Sequence, residues 1–190
     1  MIERCTEVIV DWLIKCEAVE DIEKELYSYA LYSLLLSLLP LVLAIGFGLC
    51  LGCVRQSVTI IVPFAIIRKF SGGYHTKHSW SCLLWSCLLM LLCIVVSCYV
   101  QWGLGLIVVT IGSAVSLIVF SPIDNENRVL SPDERVLYKK VTVILVIIFL
   151  LLDVILFLLH LNTYAVCISI GIMLSAGLQL PNVWKNFMKK

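Results

Sequence analysis

The sequence predicts an all-α, polytopic membrane protein with about six transmembrane helices preceded by an N-terminal amphipathic helix, and three observations predict it. First, the 190 residues are 61% hydrophobic and 14% charged, with a mean hydropathy of +1.03. Soluble domains are about 45–50% apolar and about 25% charged. One domain's length of chain cannot hide that much apolar surface from water, so a bilayer must serve as its solvent. Second, the apolar residues gather into six runs, at 30–49, 50–67, 81–100, 104–120, 141–159 and 161–180. Third, the basic residues all but one fall on the same side of those runs.

Taken in order, residues 1–29 place Ile2, Cys5, Ile9, Trp12, Cys16, Val19, Leu26 and Tyr29 at steps of three and four, one face of an amphipathic helix. The other face is acidic, with eight Asp and Glu against Arg4, Lys15 and Lys24. That sign does not suit anionic lipid and points to docking on protein, either the chain's own basic loops or a partner. The plainer reading is a solvated lead-in to the first span. No secretory signal peptide is expected, because this segment is charged throughout. Each of the six runs has about 17–20 residues, enough to cross a ~30 Å hydrocarbon core at ~1.5 Å per residue. The second is the weakest span, interrupted by Arg55 and expected to kink at Pro63. Tight links are expected at 46–52, 101–103 and 160–162, and wet segments at 68–80, 121–140 and from Pro181 onward. The chain thus divides into a cytoplasmic helix at 1–29, a membrane domain at 30–180 and a cytoplasmic tail at 181–190.

Orientation follows from the charges. With six spans, thirteen of the 14 Lys and Arg residues lie on one side, and Arg55 lies on the other. The positive-inside rule makes the basic side cytoplasmic, so both termini and both sizeable loops face the cell interior. The formal net charge of +1 gives no reason to expect a nucleic-acid partner. Nine cysteines are an odd number, and seven of them lie in or beside apolar runs, so a disulfide framework is not expected.

Chemistry concentrates in one polar stretch, Arg68-Lys69-Phe70-Ser71-Gly72-Gly73-Tyr74-His75-Thr76-Lys77-His78-Ser79-Trp80-Ser81-Cys82, which holds two of the three histidines. The glycine pair permits a loop that turns at the membrane surface. Ser79 is expected as N-cap of the third span, which puts Cys82 in its first turn. There the helix macrodipole favours anions, and Arg68, Lys69 and Lys77 add positive potential, so of the nine cysteines Cys82 has the surroundings most favourable to a thiolate. A thiolate beside an imidazole is the nucleophile–base pair of covalent acyl transfer. Each residue type is also ordinary in its place, a His at an interface and a Cys in a span. A metal reading, His75-x2-His78-x3-Cys82, lacks a second cluster at zinc spacing. Spacing leaves the choice of histidine open. His78 adjoins Cys82 on a helix that starts early, whereas His75 reaches it only if the backbone turns before Ser79. Cys50-x2-Cys53 reads as packing. Asp153, an ionisable residue within the fifth run, is given no role.

Arg68-x3-Gly72-Gly73-Tyr74-His75, with Cys82 seven residues on, resembles the signature of the AgrB (accessory gene regulator B) family of bacterial membrane cysteine endopeptidases. The resemblance extends to length, to the charged N-terminus, to the clustered spans and to Ser121-Pro122-x-Asp124-x2-Asn127 at the start of the second wet loop. It implies His75 as general base and Cys82 as nucleophile, acting within a catalytic loop at 68–82 on an AgrD-like quorum-sensing propeptide. The thiolate would attack a peptide carbonyl, release the propeptide's C-terminal part and leave a thioester that an internal cysteine captures to close a thiolactone, or an internal serine a lactone. Backbone N–H groups near Gly72 and Gly73 or at the start of the third span, with Arg68, are candidates to support the oxyanion. Lys69, Lys77, Lys139 and Lys140 are candidates to attract an acidic propeptide tail, unless they are simply positive-inside anchors. Asp124, Glu126 and Asn127 share the membrane side of His75 and are candidates to orient it. The implied setting is the bacterial cell membrane, multi-pass, with lipid and propeptide as partners, a homodimer admitted, and no cofactor or metal. The alternative is a small six-helix transporter or a substrate-binding subunit of one, which would need a midplane polar site that the spans hardly offer. A structural scaffold explains the composition but not the polar cluster.

Overall fold

The computed structural model describes residues 2–16, 24–71, 79–123 and 131–180. Among them are seven helices and no strand: α1 (Ile2–Lys15), α2 (Lys24–Cys50), α3 (Val54–Ser71), α4 (Ser79–Tyr99), α5 (Leu104–Phe120), α6 (Pro132–Leu158) and α7 (Asn162–Gly177). α2 to α7 occupy the six apolar runs in order. By length and composition, α6 is the one described helix able to cross a membrane, with a mean hydropathy of 3.3 over its apolar window. Leu38–Cys50, Leu84–Tyr99, Leu104–Phe120 and Asn162–Gly177 are shorter apolar helical stretches.

Contacts between helix ends show that the helices alternate in direction. At one end, Cys53 before α3 meets Cys98 near the end of α4, their Sγ atoms 3.2 Å apart. Trp102, just before α5, stacks on Phe157 near the end of α6. At the other end, Phe70 of α3 packs edge-to-face on Tyr138 in the first turns of α6, with ring centroids 5.7 Å apart. α2 and α3 form a tight hairpin. Gly52 takes φ +69° in its turn, Cys53 N–H donates to the Gly48 carbonyl at 2.8 Å, and Ser57 Oγ donates to the Ala44 carbonyl at 2.6 Å. A left-handed φ costs glycine nothing and a β-carbon a good deal, which is why the turn falls there.

α7 is the central helix. Residues 165–172 are buried all round, and α7 packs against α3, α4, α5 and α6, most extensively on α3. Its small residues permit this, since they let neighbouring helix backbones approach closely. At Gly171 a β-carbon would sit 2.5 Å from Pro63 Cγ and 2.8 Å from the Ile60 carbonyl oxygen. α3 runs through Pro63 as one helix, and the bare backbone of α7 fills the space beside the ring. Around this centre lie two apolar clusters. One joins Ala44, Ile60, Met90, Ile94 and Val166, and the other joins Ile67, Leu117, Val146, Phe149 and Ile172.

The end bearing Phe70 and Tyr138 is tied by a buried polar knot. Gln179, fully buried just after α7, donates from Nε2 to Ser121 Oγ at 2.8 Å and to the Ser71 carbonyl at 3.3 Å. The same Ser71 carbonyl accepts from Ile123 N–H at 3.1 Å. The ends of α3, α5 and α7 therefore meet at one point.

Three sequence expectations change. The amphipathic stretch 1–29 is not one helix: α1 ends at Lys15 and α2 already begins at Lys24, whose Nζ pairs with Asp11 at 2.7 Å as α1 folds against α2. Residues 131–140 are not loop, because Ser131 and Glu134 form a capping box with Pro132 in the first turn, which starts α6 nine residues before the apolar run at 141. Arg68 and Lys69 likewise belong to the last turn of α3 rather than to a loop, where cations complement the helix dipole.

Two substitutions test these contacts. Gly171→Val should destabilise the folded protein by about 1–3 kcal/mol, whereas Gly112→Ala in α5, where a β-carbon meets nothing within 4 Å, should be neutral or stabilise by up to about 1 kcal/mol. Thermal unfolding in detergent measures both. Gln179→Leu strips the donor from two buried acceptors and should cost about 1–3 kcal/mol. Hydrogen exchange should then speed up at Ile123 and leave the middle of α6 unchanged.

Candidate active site

The polar stretch picked out by sequence straddles α3 and α4. Arg68, half-buried, and Lys69, exposed, lie in the last turn of α3, which ends at Ser71. Ser79, expected as the cap of α4, is itself helical and is the first described residue of that helix. Cys82 is the fourth residue of α4 and closes its first turn, directly after Ser79, Trp80 and Ser81, whose backbone N–H groups have no partner within the helix. Its side chain is outside what is described, as are Gly72, Gly73, His75, Lys77 and His78 in the linker and Asp124, Glu126 and Asn127 after α5.

The described residues fix the ground from which those segments rise. The linker after Ser71 and the segment after Ile123 start from backbone groups hydrogen-bonded to each other, Ile123 N–H to the Ser71 carbonyl. Gln179 clamps this junction from below through Ser71 and Ser121. Residue 124 is therefore covalently next to a residue that touches the root of the 72–78 linker. Gln179 Oε1 is buried and has no hydrogen-bond partner among the described residues.

Positive charge collects around the junction. Lys69 Nζ sits 5.6 Å from the Phe70 ring centroid, and that ring packs on Tyr138. Lys139 and Lys140 follow Tyr138 directly and are exposed, as is Arg135 one turn earlier. The Phe70–Tyr138 contact thus brings the basic end of α3 to the part of α6 that carries Arg135, Lys139 and Lys140, just past the acidic Asp133 and Glu134. Like charges held on one rim of low dielectric focus potential into the space between them. A shallow apolar groove lined by Phe47, Leu84, Trp85, Cys87, Leu88 and Leu91 runs between α2 and α4, beginning within one turn of Cys82.

No group of three or more metal-ligating side chains exists among the described residues. Asp153 lies away from the junction, buried in the second half of α6, where Ser169 Oγ donates to its Oδ2 at 3.2 Å. Two structural residues escaped the sequence reading. Gln179 stood among leucines at the end of an apolar run, and an amide in that position is itself a signal. Ser131, three residues before Glu134, carried the capping-box pattern in plain view.

Comparison with known proteins identifies the family. The profile of the family described as AgrB, accessory gene regulator B, matches residues 6–181. The chain is similar to "Putative AgrB-like protein 2" of Clostridium perfringens (strain 13 / Type A), at 21% identity over 173 residues, covering 86% of this chain and 80% of that protein. No solved structure matches. The match takes in α1 from Thr6 onward, α2 to α7, the linker between α3 and α4 and the knot at Gln179, and the chain belongs to the accessory gene regulator B family, whose business is quorum-sensing peptide processing.

Proposed function

We propose that the protein is a multi-pass membrane cysteine endopeptidase that cleaves an AgrD-like propeptide through a thioester on Cys82. The observation that carries the reading is the position of Cys82 in the first turn of α4, seven residues after His75 in a linker that leaves a basic helix end. His75 takes the thiol proton, and the thiolate attacks the scissile carbonyl. The oxyanion is met by backbone N–H groups at the start of α4 or around Gly72 and Gly73, with Arg68 nearby. The proton then passes to the departing amine, and the C-terminal part of the propeptide leaves. A cysteine within the retained part displaces Cys82 from the thioester and closes the ring. Exchange between thioesters is nearly balanced in energy, which favours a sulfur nucleophile over an oxygen one. Asp124 or Asn127, rooted beside Ser71 through Ile123, orients His75.

In this reading α2 to α7 are the six spans, the knot end faces the cytoplasm, residues 1–29 and 181–190 lie on that side, and the membrane domain covers 30–180. Charge supports it. Arg68, Lys69, Arg135, Lys139 and Lys140 lie at the knot end, while Arg55 lies at the other. Exposed Ile144, Ile147, Ile148, Leu151, Val154 and Ile155 give α6 an apolar outer face that only lipid or a second protein covers.

Co-expression with the propeptide tests the chemistry. Cys82→Ala should abolish cleavage, His75→Ala should lower it by about 10²–10⁴-fold, and His78→Ala should keep most of it. Normal cleavage by the Cys82 variant would refute the proposal, and loss in the His78 variant alone would move the base to His78. Replacing both Lys139 and Lys140 with Gln should raise KM by about tenfold with little change in kcat, and the difference should shrink as salt screens the rim.

A further inference from the structure

At the end of the bundle opposite the knot, two thiols face each other. Cys53 Sγ and Cys98 Sγ are 3.2 Å apart, the first half-buried and the second exposed. Each is steadied by its own backbone: Cys53 Sγ donates to the Leu51 carbonyl at 3.4 Å, and Cys98 Sγ to the Ile94 carbonyl at 3.4 Å. The rotamers that bring the two sulfurs together are therefore already chosen. Forty-five residues separate the two cysteines, so spacing does not suggest the pair. The tempting partner by sequence, Cys50, belongs to the previous helix and is not in this contact.

We propose that Cys53 and Cys98 are a disulfide-forming site that takes a small oxidised disulfide as its oxidant. One thiolate attacks a sulfur of the small disulfide, giving a mixed disulfide and releasing one small thiol. The second thiolate then attacks the protein sulfur of that mixed disulfide, closing Cys53–Cys98 and releasing the other small thiol. The two cysteines lose two electrons to the small disulfide, and their protons end on the two thiols released. Closure needs the sulfurs to approach by about 1 Å, to a bond of about 2.05 Å. The surroundings allow this, because Cys53 sits in the short link after the Gly52 turn and Cys98 in the last turn of α4. The bridge fastens the start of α3 to the end of α4, the two helices whose opposite ends hold the 72–78 linker. On the six-span reading this end lies outside the cytoplasm, where such bridges persist. The pairing itself rests on distance alone and stands apart from the enzyme assignment.

The test exposes the purified full-length protein in detergent to oxidised glutathione. Free thiols are then blocked with N-ethylmaleimide, the sample is reduced, and newly freed thiols are tagged with a polyethylene-glycol maleimide. Oxidation should add two tags that are not accompanied by bound glutathione, beyond any tags on thiols that carry a glutathione adduct. Cys53→Ser and Cys98→Ser should each abolish those two, leaving at most one glutathione adduct on the remaining partner, while Cys50→Ser and Cys167→Ser should leave both. Peptide mass spectrometry of the unmutated protein should find residues 53 and 98 linked, which guards against a variant that misfolds. No gain in tags, or a bridge that joins Cys50 or Cys167 instead, would overturn the proposal. Loss of propeptide cleavage in Cys82→Ala bears on the active site and leaves this result untouched.

Discussion

The amide of Gln179 is the interaction on which the functional end of the molecule depends. A carboxamide among leucines at the end of an apolar helix is costly to bury unless its polar atoms are matched. Here Nε2 is matched by the Ser71 carbonyl and Ser121 Oγ, the last residue of α3 and the first after α5, while Oε1 is buried without a hydrogen-bond partner among the described residues. Ile123 N–H completes the knot on the same Ser71 carbonyl. Three helix ends that would otherwise splay apart are pinned where two polar segments depart. On the proposed reading, the active site draws on those segments and depends on this point for its geometry, because small displacements of catalytic groups cost large factors in rate.

On the proposed six-span reading, the packing above the knot follows from the scarcity of driving forces in a bilayer. Lipid tails there solvate leucine as well as protein does, so burying apolar side chains does little to hold helices together. Close backbone contact does more, and α7 is built for it, with Ala165, Ser169, Gly171, Ser175 and Ala176 all buried. Gly171 lies against Pro63 where a β-carbon would not fit, and it lets α3, with its basic last turn, lie flush along the centre of the bundle. The large side chains point the other way. Leu84, Trp85, Leu88 and Leu92 of α4 and the isoleucines of α6 are exposed, a distribution inverted relative to a water-soluble bundle.

Much of this was legible in the sequence. The six apolar runs and their links reappear as α2 to α7, because continuous hydrophobicity punctuated by Gly, Pro and charge survives any tertiary context. Boundaries at charged ends were not. Residues 131–140 look like a wet loop when scored by polarity, yet Ser131 and Glu134 cap a helix whose first turns stand clear of the apolar run. The N-terminal stripe misled in the opposite sense: it kept a helical period across a point where α1 stops and α2 begins. Of the candidate site, Arg68, Lys69, Lys139 and Lys140 proved to share one end, as charge counting implied. What unites them, the Phe70–Tyr138 contact and the Gln179 clamp, joins residues 68 and 108 positions apart, which no local pattern encodes.

The reading of this family member as a cysteine endopeptidase comes down to one covalent bond. The most direct measurement is intact-protein mass spectrometry after rapid mixing with the propeptide, followed by quench in acid. The account predicts a mass increase equal to the N-terminal part of the propeptide, removed by hydroxylamine, mapped to Cys82 and absent from Cys82→Ala. A hydroxylamine-labile adduct on a different residue, or cleavage that proceeds without any adduct and persists in Cys82→Ala, would contradict it.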